Sequence, residues 1–348
     1  MVHDDVNRVN LANETQAEVA RFSARLDEAL AAALGEGDPL SEAARPLVLA
    51  RAAKRARARV ALWVGEALGA PADVVLDAAV AVELIHAASL LHDDVVDGAT
   101  VRRGMPSANA RFGASVAVLS GDLLLPAAIA RLQPHGPEAT ARALEVVAEM
   151  TRAVGVELAA RRRVDFGLGD WRCMAEGKTG ALFGLAAWLV ARAAGDELRA
   201  RACDGALRHL GVAFQIADDL GDLVPAGGET PYQDLRDGNP SFPVLVAARR
   251  AAAGRAALEA AWHGPDAGDW RALAVAVLAT EAPVIAGAAV HDELLAARRL
   301  LGEDAARPGI AAILRWAETL AAPAAAGYLA ADAAPVTSIP RALTGGHP

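Results

Sequence analysis

The stretch ADVVLDAAVAVELIHAASLLHDDVVD, residues 72–97, decides how the rest of the chain is read. It runs without glycine or proline, and its apolar residues are too continuous for one narrow stripe. That composition predicts a helix buried on most of its surface. Three carboxylates gather at its C-terminal end. Outward from it, Ala, Leu, Arg and Glu dominate, and these are strong helix formers. Segments with helical period can be drawn at about 14–35, 43–69, 107–131, 137–161, 171–194 and 197–222. Shorter ones follow at about 243–252, 269–281, 284–301 and 308–321. Glycine and proline punctuate the joints, as in Gly69-Ala70-Pro71 and Pro134-His135-Gly136-Pro137. Alternating β-branched runs are scarce. The fold class expected is therefore all-α: one large helical bundle over residues 14–321, after a flexible N-terminus (1–13) and before a disordered Ala/Pro/Gly-rich tail (322–348).

Composition narrows the function. The chain has 348 residues with 34 Lys+Arg against 43 Asp+Glu, a formal charge of −9, and 54% hydrophobic residues. The acidic balance argues against a nucleic-acid binder. No uncharged apolar run reaches the roughly 18 residues of a membrane span, and Asp4 and Asp5 precede any apolar segment, so neither a transmembrane segment nor a signal peptide is expected. Cys173 and Cys203 form no metal or disulfide pattern, which fits a cytoplasmic location.

Two aspartate clusters carry the chemistry. At about 100° per residue, Asp93, Asp94 and Asp97 fall within one arc of their helix. Like charges at a helix C-terminus repel each other and the helix dipole, so a cation must offset the cost. A hard divalent ion, Mg²⁺ shared with substrate phosphates, is the natural candidate. Asp218, Asp219 and Asp222 repeat the DDxxD spacing at the end of a second apolar helix, with Gln215 inside the same arc. One such turn reads plainly as a solvated helix end. Two of them, each closing a long apolar helix, point to metal binding.

A diphosphate needs further cations and donors. Arg102 and Arg103 follow the first cluster by one short loop, and residues 51–59 pack five cations into an acidic protein. Within that segment Lys54 and Arg57 are three apart and can act on one ligand. His86 lies about 20° from Asp93 and roughly two turns before it. Lys178 and Thr179 add an ammonium beside a hydroxyl.

Taken in order, these residues resemble the trans-polyprenyl diphosphate synthase (isoprenyl diphosphate synthase) family over about residues 40–250. Residues 83–97 and 214–222 are similar to its two aspartate-rich motifs, Lys54-Arg-Ala-Arg57 to its basic motif, and Lys178-Thr179 to its central Lys-Thr pair. The resemblance implies an all-helical bundle with a central apolar cavity, commonly a homodimer. It implies a prenyltransferase dependent on several Mg²⁺ ions, condensing isopentenyl diphosphate with an allylic diphosphate. Asp93, Asp94, Asp97, Asp218, Asp219 and Asp222 would face one another and hold the metal on the allylic diphosphate. Arg102, Lys178, Thr179 and Gln215 would contact that substrate, and Lys54, Arg57, His86 and Arg103 would hold isopentenyl diphosphate.

There are departures from the pattern. Ala52-Ala53 stand where the family has Gly-Gly, and Ala58 where it has proline. The lysines expected after the second cluster are missing from residues 229–243, where Arg236 is the only cation. That weakens the expected grip on the allylic diphosphate and keeps two rivals in play: a terpene cyclase or a prenyltransferase with a different acceptor, and a non-catalytic partner subunit. The intact isopentenyl diphosphate set argues against the first, and two complete DDxxD clusters against the second. Small residues at Ala88 and Ser89, just before the first aspartate, leave no floor near the top of the cavity. Products of C20 or longer are expected.

Overall fold

A computed structural model describes the backbone of residues 2–50, 53, 55–224, 232–250, 252–263 and 268–330, with side chains for these outside 2–17, 253 and 320–330. Its contacts divide the chain into two compact units.

The first unit covers residues 1–143 and 189–196. It begins with α1 (Val2–Leu34) and α2 (Pro39–Val48). Asp38 caps α2 by accepting from the Ser41 N–H, and Pro39 stands where its missing N–H costs nothing. Next come α3 (Ala56–Leu68) and α4 (Ala72–Val96). The single helix expected over 43–69 is thus two helices, α2 ending at Val48 and α3 beginning at Ala56. Arg55 stands just before α3 with a left-handed φ of 49°, and its guanidinium donates to Asp27, Glu83 and the Val48 carbonyl. Helix α4 is buried nearly all round, as its composition predicts. A two-residue hairpin follows, β1 (Val101–Arg102) with β2 (Met105–Pro106). Arg103 and Gly104 make its turn, both with positive φ, which suits the twist of a tight hairpin. The expected helix 107–131 breaks at Gly113 (φ 85°) into α5 (Ala108–Phe112) and α6 (Ala114–Leu132). α6 packs on α4 and α2, burying Ala117, Gly121, Leu124 and Ala128, and Ser120 Oγ donates to the Leu40 carbonyl of α2.

Helix α7 (Pro137–Ala160) crosses into the second unit, residues 144–188 and 197–348. There α8 (Leu168–Ala175) runs through a π-helical turn (Glu176–Gly180) into α9 (Ala181–Ala193). Helix α10 (Glu197–Asp222) carries the second cluster. It is followed by α11 (Gln233–Asp237), α12 (Phe242–Arg250), α13 (Ala252–His263), α14 (Trp270–Leu278), α15 (Ala282–Leu301) and α16 (Pro308–Ala330). The unit boundary lies inside α7 and α9, with no linker to mark it in sequence.

The backbone is helical from Val2 and through Ala330, which takes in the expected flexible N-terminus and the first part of the expected disordered tail. Two straight helical stretches, Ala72–Val96 and Ala114–His135, are long and apolar enough to cross a membrane by length and composition. Counting only uncharged runs missed both. Of their most apolar parts, 67% and 33% are buried in the protein.

Candidate active site

The first cluster closes α4. Asp94 is 1% exposed, while Asp93 and Asp97 are half-buried. Arg102 turns back from the hairpin and donates to Asp94 Oδ1 through Nε at 2.8 Å, with Nη2 at 2.6 Å. Burial raises the pKa of Asp94, and the Arg102 charge partly reverses that shift. Asn109 Nδ2 donates to the Asp94 carbonyl at 3.4 Å, tying α5 to the same helix end.

His86 lies two turns below. Burial holds its pKa well below the usual histidine value, and the charges of Arg57, Arg103, Arg102 and Arg55 push it the same way. A neutral imidazole surrounded by four guanidiniums is an anion site in electrostatic terms. Arg57 is 9% exposed in the first turn of α3. Arg103 reaches the Leu47 carbonyl at 3.3 Å. The structure therefore brings together Arg57, His86, Arg102 and Arg103; Lys54 lies outside the described residues.

The second cluster closes α10. Asp218 is exposed, Asp219 is 4% exposed and Asp222 is half-buried. A chain of hydrogen bonds crosses the helix end. Thr179 Oγ1 donates to Gln215 Oε1 at 2.7 Å, and Gln215 Nε2 donates to Asp219 Oδ1 at 2.7 Å. The Phe242 N–H, first residue of α12, donates to Asp219 Oδ2 at 2.7 Å. Burial pushes the Asp219 carboxyl up to about 7 despite these donors. Asp222 caps α11, accepting from the N–H groups of Gln233 (2.9 Å) and Asp234 (3.0 Å), and its carboxyl is raised by burial. Close helix packing holds the π-helical turn here: a Cβ on Gly211 would stand 2.4 Å from Gly180 Cα. Lys178 donates to Glu157 Oε2 at 2.5 Å.

Several of these groups escaped the sequence reading. Glu83, Arg55, Asn109, Glu157 and Asp234 all shape the two clusters. The buried Asp234 carboxyl is raised well above the usual range by burial and by Asp219 and Asp222. The signal for Glu83 was available, since a lone carboxylate in an apolar helix needs a buried partner.

The expectation of three carboxylates converging on one ion needs revision. Among the described residues, no group of three or more His, Cys, Asp or Glu side chains is arranged to hold a metal ion. Helical spacing puts the aspartates in one arc, but Asp94 turns to Arg102, and Asp219 and Asp222 turn to backbone N–H groups. The donor set still fits Mg²⁺. That ion is held by one or two carboxylates and completed by water and substrate phosphates rather than by a protein cage.

The sequence profile described as Polyprenyl synthetase matches residues 39–273. The chain belongs to the polyprenyl synthetase family. It is 35% identical over 200 residues to the nonaprenyl diphosphate synthase of Mycobacterium tuberculosis, a match covering 56% of this chain and 59% of that protein. A decaprenyl diphosphate synthase from Rhodobacter capsulatus superposes with a TM-score of 0.78 at 25% identity, over 90% of this chain and 98% of that one. A geranylgeranyl pyrophosphate synthase from Corynebacterium glutamicum, solved with calcium and isoprenyl diphosphate, gives 0.73 at 28% identity, over 90% and 98%.

Proposed function

We propose that this protein is a chain-elongating prenyltransferase that joins isopentenyl diphosphate to an allylic diphosphate, releasing diphosphate and a trans-polyprenyl diphosphate of C20 or longer. The observations that support this reading are a DDxxD helix end in each unit and, in the first unit, a cationic pocket around His86. A cyclase acting on one diphosphate has no use for the guanidiniums around His86.

Asp93, Asp94 and Asp97 at one helix end and Asp218, Asp219 and Asp222 at the other would supply oxygen donors to Mg²⁺, which would add positive charge to the leaving diphosphate. The calcium-containing relative supports a divalent ion in this role. Lys178 and Arg102 add charge to the same allylic diphosphate, and Thr179 and Gln215 would donate to its phosphate oxygens on exchanging the hydrogen bonds they make here. The allylic C–O bond then breaks, its electron pair leaving with the diphosphate. Arg57, His86 and Arg103 hold isopentenyl diphosphate so that its alkene attacks the cation, and a proton passes from the new bond's neighbouring carbon to the departed diphosphate. His86, kept neutral by its surroundings, donates a hydrogen bond and carries no charge of its own.

We also propose a homodimer in a reducing cytoplasm. Exposed Val118, Leu119 and Leu123 on α6 support the first, and the free thiols of Cys173 and Cys203 support the second. Incubating the purified protein with Mg²⁺, isopentenyl diphosphate and allylic diphosphates of increasing length tests the activity. Products heavier than the starter by whole isoprene units are expected. Diphosphate release without isopentenyl diphosphate would show a cyclase instead.

A further inference from the structure

Arg55 and Glu83 have no contact with substrate in the reaction just described, yet Glu83 is buried and Arg55 is largely covered. Glu83 is 5% exposed in the middle of α4, and the Arg55 side chain is 11% exposed. Arg55 Nη1 donates to Glu83 Oε2 at 3.1 Å; Nη2 donates to Asp27 Oδ1 at 2.9 Å and to the Val48 carbonyl at 2.7 Å. The other oxygen of Glu83 accepts from the Ala58 N–H at 3.4 Å. That amide is one of the unsatisfied donors of the first turn of α3, and a carboxylate there also meets the positive end of the helix dipole. Glu83 therefore does for α3, from another helix, what a capping side chain would do from within it.

The backbone shows what this clamp achieves. Arg55 immediately precedes α3 at φ 49°, ψ 36°, a region disfavoured for a residue with a side chain. Arg57 is the second residue of α3, between the left-handed Arg55 and the Ala58 amide that Glu83 holds. His86 is three residues after Glu83 on α4, hence on the same face one turn away. One carboxylate thus fixes the start of α3 with respect to the α4 turn bearing His86.

We propose that Glu83, acting with Arg55, is a positioning residue for isopentenyl diphosphate: it holds Arg57 beside His86 and touches no substrate itself. This rests on the reading that Arg57 and His86 bind that substrate. Glu83 is a charged hydrogen-bonding partner inside the protein, so its loss propagates to Arg57, while the allylic site draws on other residues.

The test is Glu83→Gln, close in shape and without the charge. Wild-type turnover first establishes the reaction; if there is none, the proposed function fails, and the clamp is then read by calorimetric titration of isopentenyl diphosphate alone. The variant should raise the KM or Kd for isopentenyl diphosphate about ten-fold or more, in the range of a lost charged hydrogen bond. Its allylic KM and kcat should stay within about three-fold of wild type. Adding Arg55→Met to Glu83→Gln removes the guanidinium left unpaired, so the double variant should bind isopentenyl diphosphate more tightly than the two separate losses would sum to. Should Glu83→Gln fail to fold, the double variant, with no buried unpaired charge, carries the same comparison against wild type. Unchanged affinity for isopentenyl diphosphate, or both substrate KM values rising in parallel, would overturn the proposal.

Discussion

Gly211→Ala is a one-carbon change whose consequences can be worked through from the packing. In an open helical position the added methyl stabilises by about 0.5–1 kcal/mol, because alanine loses less backbone entropy than glycine. Gly287 on α15, with nothing within 4 Å of a built Cβ, is such a position. At Gly211 the new Cβ would sit 2.4 Å from Gly180 Cα and 2.9 Å from Gly180 N, whereas ordinary contact begins at 3.4 Å. Both atoms belong to backbone, so neither can swing aside, and the π-helical turn must retreat from α10 by about 1 Å. Overpacking of this kind costs about 1–3 kcal/mol. The same retreat would stretch the 2.7 Å bond from Thr179 to Gln215 beyond hydrogen-bonding range, for about 1–3 kcal/mol more. The net is a loss of about 1–5 kcal/mol, or a Tm lower by roughly 2–20 °C for a unit of this size. Thermal unfolding followed by circular dichroism, with Gly287→Ala as the control that should gain slightly, gives the first readout. Steady-state kinetics give the second: the allylic KM should rise, since Thr179 and Lys178 ride on the displaced turn, and the isopentenyl diphosphate KM should not. A Gly211→Ala protein as stable as wild type would refute the reasoning.

Excess chelator should abolish turnover, and Asp93→Ala or Asp218→Ala should lower it by orders of magnitude with folding retained; full activity in chelator would remove the metal role. Asp219 titrates at about 7 in the folded protein against about 3.9 unfolded. The folded state then binds the extra proton between those values, so stability contributed by this group is present below about pH 4 and is lost as pH rises to about 7. Asp219→Asn, measured without divalent ions, should therefore gain on wild type by about 2–4 kcal/mol between pH 4 and pH 8; a constant difference across that range would contradict the assignment. Ala88→Phe and Ser89→Phe, made singly, should each shorten the product while turnover survives. Ile85 lies roughly 12 Å below Asp93 along α4, and an unchanged product distribution in both variants would show that this face does not limit chain length.

The aspartate clusters were legible in sequence because each spans little more than one turn at the end of a single helix, where 3.6-residue geometry alone brings the side chains into one arc. The helix breaks were harder to see. Between residues 43 and 69 the chain leaves α2 after Val48, two residues past Pro46, and enters α3 at Ala56; Arg55, at the entry, pairs with a carboxylate 28 positions away that periodicity does not reveal. Gly113 did carry a signal, and with its φ of 85° it ends a helix that periodicity alone would continue. The cationic surroundings of His86 were half legible: the residue types were present, but the neutral state of the ring depends first on its burial and then on the guanidiniums packed near it.

Local spacing and composition thus determined an all-helical protein, the acidic ends of α4 and α10, and the order of the basic residues between them. Only the tertiary structure decided which partner each charge received. Arg102 pairs with Asp94, Lys178 with Glu157, and Asp219 and Asp222 accept from the amide groups of Phe242, Gln233 and Asp234. Helical periodicity is a property of neighbours along the chain, so it survives in a string of letters. The strength of a buried ion pair or hydrogen bond depends on separation and local dielectric, and packing between distant segments sets both.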